Sequence, residues 1–124
     1  MKKLLLILFI CLLLVGCSKK EDKKITIHSA PYIDNNAIDS IIKEGNYIIV
    51  DVRTKEEYEE SHVKGAINIP YDEIEENTDL DKTKTIMVYC KSGKRSNKAY
   101  NTLISLGYNA YDMGAFSDLN LEKE

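Results

Sequence analysis

A small α/β domain built on a central parallel sheet is the fold class this sequence predicts, and three observations predict it. Two apolar runs, Tyr47-Ile48-Ile49-Val50 and Ile86-Met87-Val88-Tyr89, show no polar alternation, the pattern of strands buried on both faces. Helical patterns stand between and after these runs, and strands alternating with helices imply parallel pairing. Polar residues follow each run directly, Asp51-Val52-Arg53 after the first and Cys90-Lys91-Ser92 after the second. Parallel sheets bind ligands beyond the carboxyl ends of their strands, so both segments fall where a site is expected.

The elements follow in order. Ile25-Thr26-Ile27 alternates like a short strand, and Pro31 closes the turn after it. Asp34 caps a helix reaching about Glu44, with Ala37, Ile38, Ile41 and Ile42 as its apolar face and Gly45 as its stop. Tyr47 to Val50 is the first buried strand. Thr54 caps a short acidic helix with Glu57 in the capping-box position, and the stretch from Glu56 to Glu60 reads as a solvated face. Gly65 to Pro70 reads as a short strand stopped by proline, Asp72 to Glu76 as one or two helical turns, and residues 77–83 as a polar loop. Thr85 to Tyr89 is the second buried strand. Ser96 to Leu106 is helical, with Ala99, Leu103 and Leu106 on one side and Gly107 at the stop. Tyr108 to Tyr111 is the last strand, followed by Gly114 and a short terminal helix. There is no internal repeat and no second domain.

The first residues belong to no fold. Lys2-Lys3 is a basic start, the apolar run from Leu4 to Val15 is too short for a comfortable span, and Leu14-Val15-Gly16-Cys17 closes it. This segment looks like a bacterial lipoprotein signal peptide over residues 1–16, with Cys17 the lipidated residue. An ordinary signal peptide or an uncleaved anchor with an incidental cysteine is the alternative. Residues 17–24 then form an anchor and polar tether, and 25–120 form the domain. The expected location is a bacterial cell membrane, on its extracytoplasmic face, through the lipid.

Charge and cysteine count narrow the chemistry. Cleavage before Cys17 leaves 108 residues with 15 basic and 20 acidic side chains, a balance without broad attraction for nucleic acid. Against it, Lys91, Lys94 and Arg95 stand out as a local basic cluster. The chain has three cysteines; Cys11 leaves with the signal and Cys17 carries lipid, so Cys90 is the one free thiol. A single thiol in an exported chain points to reactivity, and it leaves neither a disulfide nor a cysteine cluster for a metal. No metal and no cofactor are expected.

Cys90 stands where a strand ends and a helix begins. Unpaired N–H groups at a helix N-terminus favour a thiolate and bind anions. Within Cys90-Lys91-Ser92-Gly93-Lys94-Arg95-Ser96, Gly93 permits a bend that a side chain would obstruct. Arg95 offers a planar fork either to an oxyanion or to the loop itself. Ser92 and Ser96 add hydrogen bonds, and Ser96 is a candidate helix cap. Lys91 and Lys94 are either part of the anion site or solvated surface charges. Asp51 and Arg53 read as a pair bracing neighbouring loops, His62 as a structural residue, and His28 has no role.

Three segments together resemble the rhodanese family of sulfurtransferases: Asp51-Val52-Arg53, His62-Val63-Lys64-Gly65-Ala66-Ile67-Asn68-Ile69-Pro70, and the loop from Cys90 to Ser96. The resemblance implies a small α/β domain with a central parallel sheet, and an active loop whose backbone N–H groups cradle an anion. It implies that Cys90 is catalytic, taking sulfur from a small anionic donor such as thiosulfate. A Cys90 persulfide would then pass that sulfur to a thiol, cyanide or protein acceptor. Lys91, Ser92, Gly93, Lys94, Arg95 and Ser96 become the substrate-binding loop. One departure is visible: where the family often has two glycines and a tryptophan, Gly114-Ala115-Phe116 stands here.

Two other readings remain. Phosphatases and arsenate reductases of related fold place more residues between cysteine and arginine than the four found here, which favours sulfur transfer. A persulfide carrier or docking module would need the same loop as an enzyme.

Overall fold

The computed structural model describes residues 32–124. The signal peptide, Cys17, the tether and the strand read at 25–27 lie outside the described residues.

Helix α1 (Asn35–Glu44) starts where Asp34 accepts the Ala37 N–H at 2.9 Å, and it ends at Gly45. Its buried residue, Ile38, faces the sheet. Strand β1 (Tyr47–Asp51) leads to α2 (Lys55–Glu60), whose capping box joins Thr54 and Glu57 reciprocally. Strand β2 is confined to Ile67–Asn68, far shorter than the stretch from Gly65 to Pro70. It is an outer strand, and Pro70 has no N–H with which to continue pairing. Helix α3 (Ile74–Asn77) follows, then β3 (Thr85–Cys90), α4 (Lys94–Ser105), β4 (Asn109–Ala115) and a 3-10 turn at Phe116–Asp118.

The four strands run parallel in the order β2-β1-β3-β4, which makes β3 a central strand. Because side chains alternate across a strand, β3 feeds two cores. Ile86, Val88 and Cys90 pack with Val50, Val52, Ile74, Ala99 and Leu103. Met87 and Tyr89 pack with Ile38, Ile49, Val63 and Met113 on the other face. Helices α3 and α4 cover the first face and α1 the second.

Three further boundaries differ from expectation. Helix α4 begins at Lys94, with Gly93 as its N-cap residue, so Ser96 lies inside the helix and does not cap it by the usual geometry. Strand β4 runs on to Ala115. Its register slips opposite β3: Asp112 faces Val88 and Gly114 faces Tyr89, leaving Met113 as an extra bulged residue. The folded unit also runs past residue 120. His62 and Glu124 exchange backbone hydrogen bonds at 2.9 and 2.8 Å, and Lys64 donates to the Glu122 carbonyl at 2.8 Å.

Candidate active site

Strand β3 delivers Cys90 to the carboxyl edge of the sheet, fully buried, with β4 alongside at Ala115. The chain must then turn sharply into α4. Gly93 makes the turn with φ of 96°, a left-handed conformation that side chains disfavour. The turn aims the Gly93 N–H at Cys90 Sγ, at 2.9 Å. On the other side the Ser96 hydroxyl donates to the Gly93 carbonyl at 3.0 Å and faces Sγ at 3.5 Å. The sulfur is thus held between a backbone donor and a buried hydroxyl at the first turn of a helix. Lys91, Ser92 and Lys94 are exposed around it.

Arg95 points elsewhere. Its Nη1 and Nη2 bind the Glu57 carboxylate at 2.7 and 3.1 Å, a two-pronged pair between α4 and α2. Glu57 Oε1 also accepts the Thr54 N–H at 3.0 Å, so one carboxylate closes a helix cap and holds the arginine. Hydrogen bonding to Arg95, opposed by partial burial, lowers the Glu57 pKa from 4.5 to about 2. Glu57 is therefore not merely part of a solvated face. Its spacing to Thr54 was the one sequence signal that it does more.

A second ionic cluster supports the neighbouring loop. Asp51 is fully buried and accepts the Arg53 N–H at 2.9 Å, Arg53 Nη2 at 2.6 Å and the Tyr89 hydroxyl at 2.7 Å. The Val63 N–H in turn donates to Tyr89 Oη at 3.0 Å. Burial raises the Tyr89 pKa and keeps the phenol neutral, able to donate to Asp51. Arg53 also donates to the Ser61 carbonyl and lies 4.3 Å from the centre of the Phe116 ring. Phe116 stacks on Tyr89 with ring centres 5.5 Å apart. So the position where the family often has a tryptophan carries a smaller aromatic ring, seated on Arg53 of the Asp51–Arg53 pair. His62 stacks on Tyr58 at 3.8 Å, with Nδ1 2.8 Å from the Tyr58 carbonyl and Nε2 3.3 Å from Glu124.

A cleft of about 320 Å³ opens beside the loop, lined by Arg53, Glu57, Glu60, Lys91, Phe116 and Ser117. A groove of about 360 Å³ over Tyr71, Asp72, Glu75, Lys98 and Thr102 contains no residue of the cysteine loop. Among the described residues no cluster of histidine, cysteine or carboxylate side chains fits a metal ion.

Cys90 is thus a buried cysteine in a turn between a parallel strand and a helix, with the Gly93 N–H on its sulfur. Comparisons with known proteins place this arrangement in a family. Residues 34–118 match the family model of the rhodanese-like domain, and the chain belongs to that family. It is 38% identical over 78 residues to the thiosulfate sulfurtransferase PspE of Escherichia coli, covering 60% of this chain and 75% of that protein. It is 39% identical over 61 residues to the putative sulfur carrier protein YrkF of Bacillus subtilis, covering 48% of this chain but only 33% of that longer protein. Among solved structures, an anion-bound rhodanese from E. coli matches with a TM-score of 0.59 and 36% identity over 63% of this chain and 96% of that one. The human single-domain sulfurtransferase TSTD1 matches with a TM-score of 0.63 and 26% identity over 72% and 94%. The chain is a thiosulfate sulfurtransferase-like enzyme.

Proposed function

We propose that Cys90 is the nucleophile and carries the transferred sulfur as a persulfide. The observation that supports this most directly is the Gly93 N–H on Cys90 Sγ, at the N-terminus of a twelve-residue helix. That position gathers backbone donors around an anion. In the first step the Cys90 thiolate attacks the outer sulfur of thiosulfate; the S–S bond of the donor breaks and its electron pair leaves with sulfite. In the second, an acceptor such as cyanide attacks the outer persulfide sulfur and the Cys90 thiolate is restored, with thiocyanate as product. No proton transfer is required in either step. Backbone N–H groups from Lys91 to Ser96 bind the donor, with the exposed ammonium groups of Lys91 and Lys94 drawing it in. Because Cys90 is fully buried, the loop must part for the donor's outer sulfur to reach Sγ. Asp51 and Arg53 hold the adjoining loop in shape.

The test is a mass spectrum of the protein after exposure to thiosulfate, paired with thiocyanate formation. A gain of one sulfur atom and steady turnover are expected, both lost in Cys90→Ser. Hydrolysis of phosphate esters with no sulfur gained would overturn the assignment. A persulfide that forms but passes only to a protein acceptor would make the molecule a carrier.

The proposal extends to location. Lys2-Lys3, the short apolar run and Cys17 support export and lipidation, with the domain held outside the cytoplasm by a polar tether.

A further inference from the structure

We propose that Glu57 sets the anion selectivity of the cysteine loop by keeping the Arg95 guanidinium from the bound anion. This rests on the loop binding the donor as an anion. Three cationic side chains surround Cys90 in sequence, yet their roles in space differ. Lys91 and Lys94 are exposed point charges, while Arg95 carries the only planar fork suited to two oxygens of one oxyanion. Both nitrogens that would form that grip are on Glu57, at 2.7 and 3.1 Å. The occupied fork leaves the oxyanion to backbone N–H groups and the lysines. Such a loop holds a small sulfur donor without clamping every tetrahedral anion that enters.

Arg95 also starts from the same turn as the sulfur. It is the second residue of α4, two positions past the Gly93 that donates to Cys90, and its carboxylate partner lines the cleft beside the loop. Its guanidinium pKa is raised by the hydrogen bond to Glu57 and, more weakly, by the nearby Cys90. Freed from Glu57, the fork becomes available to an anion held by the loop.

Glu57→Gln separates this role from a structural one. Glutamine is also a capping-box residue, and its amide oxygen can still accept the Thr54 N–H, so α2 keeps its cap while the charge is lost. Inorganic sulfate is the probe, measured by calorimetry and as a competitive inhibitor of sulfur transfer in the full chain. Glu57→Gln is expected to bind sulfate about tenfold more tightly than the native protein, in line with a gained charge-assisted grip. Adding Arg95→Met should abolish the gain. Glu60→Gln removes a charge from the same cleft without touching Arg95 and should leave most of the native weakness in place.

Unchanged or weaker sulfate binding in a folded Glu57→Gln protein overturns the inference, as does an equal gain in Glu60→Gln or a gain that survives Arg95→Met. Failure of the underlying reading looks different: the native protein then gains no sulfur on Cys90.

Discussion

Glu57 carries three duties through two oxygens: it caps α2, binds Arg95 in two places and forms part of the cleft wall. Its protonation is therefore linked to stability. With the folded pKa near 2 and the ordinary value at 4.5, the unfolded chain binds the proton more readily. The pair's contribution is fully present above about pH 4.5 and declines as pH falls toward 2. The side chain is about one quarter exposed, so solvent screening moderates the effect. Chemical denaturation from pH 7 to 2 should show native protein and Glu57→Gln separated by a constant interval above pH 5. The interval should narrow between pH 4.5 and 2; a constant gap down to pH 2 would mean that Glu57 is not paired in solution.

At the scale of elements, the cysteine loop depends on a neighbour remote in sequence. A Cβ added to Gly93 would lie 3.9 Å from the Gly114 Cα, so turn and bulge are close-packed. Gly114 itself has φ of 80°, and a Cβ there would come within 2.7 Å of the Tyr32 ring. Tyr32 is bridged to Asp112 and closes that edge of the sheet. Gly114→Ala therefore meets backbone strain of about 1–2 kcal/mol, and it displaces the tyrosine as well. A lowered melting temperature and reduced sulfur transfer are expected together. Thermal unfolding alongside the thiocyanate assay checks this, and an unshifted melting temperature would contradict the bulge geometry. The capping elements were legible beforehand because they are local: Asp34 with Ala37 and Thr54 with Glu57 are three residues apart, a distance the helix itself imposes. The bulge at Met113 was not, since it exists only in the pairing of β4 with β3. For the same reason Gly114, placed after the last strand in sequence, lies inside it.

For the whole molecule, the described residues form one two-faced domain in which β3 serves both cores and ends at Cys90. None of their helices is long and apolar enough to cross a membrane. The proposed point of attachment to one is Cys17. Cys17→Ala should move the protein from the membrane to the soluble fraction of an expressing bacterium, leaving sulfur transfer by the folded domain intact. A Cys17 found without lipid, by mass spectrometry of the native protein from the membrane fraction, would refute lipidation at that residue.

Alternating strands and helices, the caps at Asp34 and Thr54, and a thiol at a strand-to-helix junction could all be read from the chain, because each depends on near neighbours or on periodicity. Which charge meets which could not. Arg95 and Glu57 are 38 positions apart, as are Tyr89 and Asp51, and no local periodicity links residues so distant. Parallel pairing sets Asp51 opposite Tyr89, and the closing of α2 against α4 brings Glu57 to Arg95. In sequence Arg95 reads as part of the substrate-binding loop, with bracing of the loop as the other use of its fork. Packing sets the guanidinium on Glu57, a carboxylate that its own helix cap holds in place.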